Sequence, residues 1–292
     1  MITHPQRPGT DGMNRSLSIC IAQINYDSAH IRAHLERIKA IIHDQRQADL
    51  IVFPELILHG HPSLEKPEGF LYRKMKAVYG GISQDLYRYI REQDARVIFG
   101  ELKRQGDLYF NLATYADRRG VQSYAKCHVH WTENFTPGRE LKVFDTPLGR
   151  IGISICFDAA FAEVWRVQAL LGADLLVNIA AVPASFPVRQ MWRRLVGAAV
   201  FNQRPVIYAN RPGSYFSGHS AIFDAQGEVV LNADGREAVV RGQVSLAEAE
   251  AWREDEPIFS HRRPQLYREI TTRTLPRPRL AKVGGQGGNQ GG

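Results

Sequence analysis

Residues 150–181 read RIGISICFDAAFAEVWRVQALLGADLLVNIAA, which has the pattern of a strand, a helix and a second strand in succession. The run from Arg150 to Ile155 is short and rich in β-branched residues, as buried strands are. Residues Ala160 to Leu171 are predicted to form a helix, and Asp174 to Ala181 a second buried strand. This β-α-β order predicts an α/β fold.

The same alternation continues on both sides of this segment. Upstream, the predicted strands Leu17 to Ile24 and Asp49 to Phe53 flank a helix from Ile31 to His43. Pro54 cannot continue a central ladder, so the second strand stops there and Glu55 lies at its C-terminal edge. The remaining predicted elements are a helix at Ser83 to Gln93, strands at Arg96 to Gly100, Leu108 to Ala116 and Val121 to Ala125, a helix at Trp192 to Phe201, a strand at Val206 to Ala209, and a hairpin of Ser220 to Asp224 with Glu228 to Leu231.

Composition separates a body from two ends. The chain has 292 residues, of which 44% are hydrophobic and 23% charged, as in soluble globular proteins. We expect a flexible leader over residues 1–15, one compact domain over residues 16–261, and a basic, Pro- and Gly-rich tail over residues 262–292 with too little apolar surface to fold. No apolar run reaches the roughly 18 to 20 residues that cross a bilayer, and the leader lacks a secretory pattern. We therefore expect a cytoplasmic protein that does not bind membranes.

The formal net charge of +7 lies entirely in the two ends. Residues 262–292 carry seven basic residues and one acid, residues 1–15 carry two and one, and residues 16–261 carry 28 of each sign. The charge therefore does not predict a polyanion-binding face on the domain. No aromatic platform or recognition-helix pattern is present either, so we expect no nucleic-acid partner.

Three residues with side chains that can take part in catalysis come at the ends of predicted strands, where α/β proteins build their sites. They are Glu55, Lys126 and Cys156. A thiol with a pKa of about 8.5 is mostly protonated at neutral pH, so it needs a base or a nearby cation before it attacks a carbonyl or nitrile carbon. Glu55 can be that base. Lys126 and the backbone N–H of Phe157 can stabilise the oxyanion that forms.

The sequence around these residues resembles the nitrilase superfamily of carbon–nitrogen hydrolases. The runs that carry the resemblance are FPEL at Phe53 to Leu56, AKCHV at Ala125 to Val129 and GISICFD at Gly152 to Asp158. The match covers about Ser16 to Gln243, and its strings are colinear. Supporting strings lie at Gly106 to Asn111, Phe135 to Gly138, Phe161 to Glu163, Asn210 to Gly213, Ser217 to Ser220 and Asp224 to Glu228.

The resemblance implies an α-β-β-α sandwich in a single domain, with a catalytic triad that matches Glu55, Lys126 and Cys156. It also implies a homo-oligomer, a dimer or larger, that associates through helices. Family members often carry a second active-site glutamate, for which Glu133 is the match in this chain. We expect neither a cofactor nor a metal.

The residues that follow the cysteine favour an amidase-type branch. The run CFD at 156–158 resembles the Cys-Tyr-Asp of amidases, whereas true nitrilases tend to read Cys-Trp-Glu. The Ala159–Ala160 pair stands where relatives that bind a substrate carboxylate often place an arginine, which argues against a carboxylated or carbamoyl amino acid substrate. The residues predicted to shape the substrate pocket are Phe157, Trp131, Asn178 and the segment Ala181 to Phe186.

The sequence thus predicts an enzyme that cleaves the C–N bond of a small carboxamide to a carboxylic acid and ammonia through a thioester on Cys156. Hydrolysis of a nitrile, hydrolysis of an N-carbamoyl amide, and acyl transfer to an amine other than water are alternatives on the same scaffold. An alternative of a different class is a binding protein with vestigial hydrolase residues, which acts through its basic C-terminal tail.

Other residues suggest competing sites. Cys127 is a rival nucleophile beside Lys126, but alternation along an extended segment turns it away from the pocket if Lys126 faces that pocket. Cys20, in the middle of the first strand, is predicted to be a core residue. A metal site would use His59, His61, His128 and His130, yet no obvious carboxylates accompany them to orient the rings.

Overall fold

The computed structural model describes residues 16–26, 30–60 and 81–274. Within this part of the chain, twelve strands form two six-stranded sheets. The first sheet has the order β12-β1-β2-β3-β4-β5, and the second has the order β11-β10-β9-β8-β7-β6. The predicted leader and residues 275–292 of the predicted tail lie outside the described residues.

The strands and helices are as follows. The strands are β1 Ser16–Gln23, β2 Leu50–Val52, β3 Val97–Gln105, β4 Leu108–Asp117, β5 Gly120–Ala125, β6 Val143–Thr146, β7 Gly149–Ile155, β8 Leu175–Ala180, β9 Val206–Asn210, β10 Ala221–Phe223, β11 Val229–Asn232 and β12 Ala238–Ser245. The described helices are α1 Ile31–Gln45, α2 Gly81–Glu92, α3 Ala162–Leu170, α4 Val188–Asn202, α5 Leu246–Asp255 and α6 Arg268–Thr272.

Side-chain alternation along the central strands builds the layers. In β7 and β8, Ile153 and Val177 point into a core between the two sheets, whereas Leu176 and Ala180 point away from it towards α3 and α4. A second outer core packs α1 and α2 against the first sheet. The result is an α-β-β-α sandwich, which confirms the predicted fold class.

The centre of each sheet is parallel and its edges are antiparallel. Strand β2 runs parallel to both β1 and β3, and β8 runs parallel to both β7 and β9. Parallel strands covered by helices on one face and by a second sheet on the other are buried on both faces, so their sequences read as continuous apolar runs. This is why the sequence pattern located β2, β7, β8 and β9.

Elements without an apolar run of their own were not predicted. Strand β12 alternates exposed and partly buried residues, and it is held by antiparallel pairing along the whole of β1, from Ser16 opposite Ser245 to Gln23 opposite Ala238. Helix α3 begins later than predicted because residues Cys156–Ala160 form a 3₁₀ turn. Helix α4 begins earlier, directly after Pro187.

The chain separates into two units, Met1–Glu254 and Asp255–Gly292. The predicted division after residue 261 stays a prediction, and the separation found here comes earlier, at the end of α5. In the described part of the second unit, a 3₁₀ turn at Pro264–Leu266 and the short helix α6 have no buried residue. None of the described helices is long and apolar enough to cross a membrane.

Candidate active site

The Glu55 carboxylate is fully buried just beyond the end of β2. Its Oε1 accepts a hydrogen bond from Lys126 Nζ at 2.9 Å and another from Asn111 Nδ2 at 2.6 Å. No hydrogen-bond donor among the described residues reaches Oε2. One carboxylate oxygen is therefore fixed by two donors, and the other is available as a proton acceptor.

The backbone around Glu55 is held in an uncommon conformation by the neighbouring strand. Leu56 has a φ of +51°, in the left-handed region that a branched side chain rarely adopts. Gly100 of β3 donates its N–H to Pro54 O at 3.1 Å and accepts from Leu58 N at 3.1 Å. A Cβ at position 100 would lie 2.1 Å from Leu56 N, so only glycine allows this contact.

Lys126 follows β5 and is almost completely buried. Its ammonium donates to Glu55 Oε1 and to both oxygens of Glu133, each at 2.9 Å. Burial alone lowers the pKa of Lys126, but the negative charges of Glu55 and Glu133 outweigh it and raise the pKa well above its usual range. The ammonium therefore keeps its positive charge at physiological pH.

Glu133 lies in the loop after Lys126, where the sequence placed the second active-site glutamate. It is nearly buried, and its carboxylate also accepts the backbone N–H of His130 at 3.0 Å. The N–H of Glu133 in turn donates to His130 O at 2.9 Å. These bonds fold the loop over the ammonium, so the structure brings Glu55, Lys126 and Glu133 together.

Cys156 is the first residue of the 3₁₀ turn that follows β7. Its φ of +46° is left-handed, a strained backbone conformation of the kind that clusters at functional sites. Burial and the charge of Glu55 raise the pKa of its thiol well above the ordinary value, and the opposing charge of Lys126 does not offset them. The resting side chain is therefore a neutral thiol that needs a base.

Asp158 joins the cysteine turn to the end of β5. Its fully buried carboxylate accepts from Tyr124 OH at 2.9 Å, from Ile155 N at 3.0 Å, and from the backbone N and the Nδ1 of His128 at 2.8 and 2.9 Å. Four donors thus saturate one carboxylate. This bridging role was not predicted, although Asp158 stands in the run that carried the resemblance.

Cys156 and Glu133 line a cavity of about 550 Å³. Its wall includes Phe157 and Trp131, and the rings of these two residues lie edge to face with 5.6 Å between their centroids. Trp131 is 73% exposed and forms part of the rim. The cavity therefore leads from an aromatic entrance to the thiol.

Asn178 occupies a different place from Phe157 and Trp131. It is fully buried within β8, where its Nδ2 donates to Ser154 Oγ of β7 at 2.9 Å. The described residues that line the cavity do not include it. Because the two neighbouring residues of β8 point into the core between the sheets, the side chain of Asn178 points to the opposite face.

Four residues of the cavity wall come from chain segments whose meeting is set by the fold. Phe186 belongs to the segment predicted to shape the pocket, but Arg194 of α4, Tyr215 and Phe216 were not singled out. The only sequence signal for them was their position after strands of the second sheet. Their place in the same cavity wall as Cys156 depends on the packing of α4 and a long loop against that sheet.

A second buried cation, Arg211, was also missed. It is 5% exposed, donates from Nε at 3.1 Å and from Nη2 at 2.6 Å to Asn25 Oδ1, and lies 4.4 Å from the centroid of the Phe216 ring. Burial lowers the pKa of this guanidinium to about 10, against the opposing effect of the Glu55 charge. Arg211 therefore remains charged near the buried carboxylate.

The rival residues lie elsewhere. Cys127 packs against the core between the sheets, with its thiol 3.3 Å from Glu140 O, and is not among the described lining residues of the cavity. Cys20 is buried in β1, as predicted, and all three cysteines are free. Among the described residues, no group of three or more His, Cys, Asp or Glu side chains is placed to hold a metal; His61 lies outside them.

Comparisons of the sequence identify related proteins. The sequence model of the carbon-nitrogen hydrolase family matches residues 18–254. The chain is similar to a protein named probable nitrilase from Schizosaccharomyces pombe, with 29% identity over 87% of this chain and 98% of that protein. It is also similar to an omega-amidase from Bos taurus, with 31% identity over 64% of this chain and 75% of that protein. A 2-oxoglutaramate amidase from Paenarthrobacter nicotinovorans is 26% identical over 86% of this chain and 91% of that protein.

Solved structures of the same fold are also similar. A carbon-nitrogen hydrolase from Helicobacter pylori superposes with a TM-score of 0.79 at 20% identity, covering 89% of this chain and 99% of that one. The NitFhit protein of C. elegans superposes with a TM-score of 0.79 at 24% identity, covering 86% of this chain and 66% of that one. At these identities, the likeness shows the fold.

The family match spans nearly the whole first unit, including every residue of the candidate site. The predicted superfamily and its amidase-type branch are therefore confirmed. The chain belongs to the carbon-nitrogen hydrolase family of the nitrilase superfamily.

Proposed function

We propose that this enzyme is an amidase, which hydrolyses a carboxamide to a carboxylic acid and ammonia through a thioester on Cys156. One observation carries the proposal most directly. The neutral thiol of Cys156 lies close enough to the buried Glu55 carboxylate to feel its charge. Lys126 and Asn111 fix one oxygen of this carboxylate, while the other oxygen has no donor among the described residues. A nucleophile that needs a base thus lies near a base with a free acceptor.

In the first step, Glu55 Oε2 takes the thiol proton while the sulfur of Cys156 attacks the carbonyl carbon of the substrate. A C–S bond forms and the π electrons of the carbonyl move to its oxygen. Lys126 Nζ and the backbone N–H of Phe157 stabilise this oxyanion. Loss of one such donor typically lowers the rate about 10²- to 10³-fold.

In the second step, the tetrahedral intermediate breaks its C–N bond. The protonated Glu55 gives its proton to the departing nitrogen, so ammonia leaves and the acyl group remains on Cys156 as a thioester. Glu55 then removes a proton from water as the water attacks the thioester carbon. The carboxylic acid departs, and the proton returns to the thiolate.

Glu133 and Asp158 act as positioning residues in this scheme. Glu133 holds the ammonium of Lys126 with both carboxylate oxygens, so that this ammonium keeps one orientation while the charge on the substrate oxygen changes. Asp158 fixes the cysteine turn to the end of β5. Pre-organised donors of this kind need no rearrangement during the reaction.

The choice of an amide over a nitrile rests on relatives and on the cysteine motif. Two of the curated relatives are named omega-amidase and 2-oxoglutaramate amidase, and the run at 156–158 is of the amidase type. Nitrile hydrolysis remains the second candidate, because a relative matched over 98% of its length is named a probable nitrilase. N-carbamoyl hydrolysis, acyl transfer, and a binding protein that uses the basic tail are the further alternatives.

A panel of carboxamides, nitriles and N-carbamoyl compounds assayed for ammonia tests the proposal. We expect ammonia from one or more carboxamides, and a loss of at least about 10³-fold in Cys156→Ala. Cys127→Ala is the matched control, because this second half-buried thiol faces away from the cavity. We expect the Cys127→Ala variant to retain activity. Activity that survives Cys156→Ala would contradict the triad.

Intact-mass spectrometry tests the thioester itself. An activated ester, whose leaving group needs no proton, is mixed in excess with the Glu55→Gln variant. Loss of Glu55 slows acylation of the thiol, but the thioester accumulates because the same base is missing for the attack of water. We expect the mass of the protein plus one acyl group, and no adduct in Cys156→Ala. An adduct that persists without Cys156 would place the nucleophile elsewhere.

We also propose a homo-oligomer in the cytoplasm. Three free cysteines suit a reducing compartment. Large apolar side chains are exposed near the C-terminal ends of α3 and α4, at Leu170, Leu171 and Phe201, and such a surface is typical of a subunit contact. Light scattering of the purified chain is expected to give a multiple of the chain mass, and a monomer at micromolar concentration would exclude this part of the proposal.

A further inference from the structure

The cavity that contains Cys156 also contains an unpaired cation. Glu133 in its wall forms an ion pair with Lys126, which also pairs with Glu55. Arg194 of α4 also lines the cavity, and among the described residues no Asp or Glu carboxylate lies within 4.0 Å of its guanidinium. The wall therefore presents one positive charge that no carboxylate in the described part of the chain pairs with.

The position of Arg194 follows from the helix. Met191, one turn earlier, is buried and lines the same cavity, and residues three apart share a helix face. The next residue back, Arg193, is exposed and lines a separate surface hollow with Arg189 and Trp192. Two consecutive arginines therefore face different environments, and of the two only Arg194 lines the cavity that contains Cys156.

The guanidinium of Arg194 is held by an aromatic ring. Its central carbon lies 5.0 Å from the centroid of Phe186, which also lines the cavity. The loop that carries Phe186 is anchored, because Phe186 N donates to Pro183 O at 2.9 Å and Ala184 N donates to Tyr215 O at 2.9 Å. Stacking on a fixed ring orients the guanidinium and leaves its N–H edge free for a ligand.

The rest of the lining is mostly apolar. Trp131, Phe157, Met191 and Phe216 contribute rings and a thioether, and the turn beside the thiol offers no cation, because residues 159–160 are both alanine. The volume of about 550 Å³ lies in the range of small-molecule sites. A ligand that fills it meets the thiol, an apolar wall and one guanidinium.

We propose that Arg194 binds an anionic group of the substrate, so that the substrate class is a carboxamide that carries a carboxylate beyond an apolar body. This inference rests on the proposed function. A guanidinium and a carboxylate form two parallel N–H···O bonds, which orient the substrate as well as hold it. The positive charge that the Ala159–Ala160 pair does not supply thus comes from Arg194 of α4. This proposal replaces the expectation, based on those two alanines, that the substrate carries no carboxylate.

Matched substrates test the role of Arg194. One is the monoamide of a dicarboxylic acid, with an alkyl or phenylene spacer, and the other has a methyl ketone in place of the carboxylate. We expect kcat/KM to favour the carboxylate by roughly 10- to 150-fold in the native enzyme, mainly through KM. In Arg194→Met the ratio falls to about 1, whereas in Arg193→Met it is unchanged. The ratio is internal to each variant, so a general loss of activity does not affect it.

A binding measurement gives a readout that needs no hydrolysis. Calorimetric titration of the carboxylate amide into Cys156→Ala is expected to give a Kd that rises by the same factor when Arg194→Met is added. Ammonia release from both substrates at similar kcat/KM, with no effect of Arg194→Met, would overturn the inference and leave the proposed function intact. Absence of ammonia with binding that still depends on Arg194 would instead overturn the proposed function.

Discussion

Gly100→Ala is expected to lower the activity of the enzyme without replacing any titratable group. The added Cβ would lie 2.1 Å from Leu56 N and 2.6 Å from Glu55 Cα, whereas real Cβ atoms essentially never come closer than 3.0 Å to another heavy atom. The turn that carries Glu55 must therefore retreat by about 1 Å. A misplacement of about that size can cost roughly 10²-fold in rate.

The same substitution strains the fold. Overpacking of a tightly packed interior costs about 1 to 3 kcal/mol, and the displaced turn also weakens the hydrogen bonds of Gly100 with Pro54 and Leu58. We expect kcat/KM for ammonia release to fall about 10²-fold or more, and the urea midpoint of unfolding to fall as well.

Gly81→Ala is the matched control for this experiment. Gly81 is the first residue of α2, and a Cβ there meets no atom within 4 Å. The Gly81→Ala substitution is expected to leave the activity unchanged and to raise the free energy of unfolding by up to about 1 kcal/mol. Native activity and stability in Gly100→Ala would refute the argument that close packing of β3 positions Glu55.

Three further outcomes are expected. Glu55→Gln lowers kcat for ammonia release by about 10²- to 10⁴-fold, because it removes the base and acid while keeping an acceptor for Lys126. In a Cys127→Ala background, the pH midpoint of iodoacetamide alkylation of Cys156 is lower in the same variant, because burial and the charge of Glu55 raise the pKa of this thiol and the variant removes that charge; an unchanged or higher midpoint would contradict the assigned effect. Asp158→Asn destabilises the fold by about 1 to 3 kcal/mol in urea unfolding, because a buried amide nitrogen replaces an acceptor, while the exposed control Asp145→Asn changes stability by less than about 0.5 kcal/mol.

The sequence predicted the site residues that stand at strand ends. Glu55 and Cys156 follow apolar runs that are buried on both faces, so the pattern located their strands within a few residues, whereas Lys126 follows the half-buried edge strand β5. Whether these three residues come together depends on the packing of the two sheets. The family resemblance predicted that packing, whereas the periodicity of the sequence did not. Asn178 was grouped with the pocket, but its side chain donates to Ser154 within the second sheet, and it is not among the described residues that line the cavity.

The residues that the sequence did not reveal come from long-range contacts. Arg194 lies in a helix with two adjacent arginines, and no periodic pattern tells which one faces the cavity. The sequence around Arg211 predicts an exposed loop residue, whereas the fold buries its side chain beside Asn25 and Phe216. Strand β12 was overlooked because apolar and polar residues do not alternate regularly along its sequence. Its partner β1 also lies at the other end of the domain's sequence.

The pairing of β12 with β1 has a consequence during synthesis. Strands β6 to β11 are contiguous in the chain, so the whole second sheet is made between the first five strands and the strand that completes the first sheet. Until residue 245 has left the ribosome, β1 presents an unpaired edge, and such edges recruit other chains. We therefore expect chains that end before Ala238 to aggregate more readily than the full-length chain.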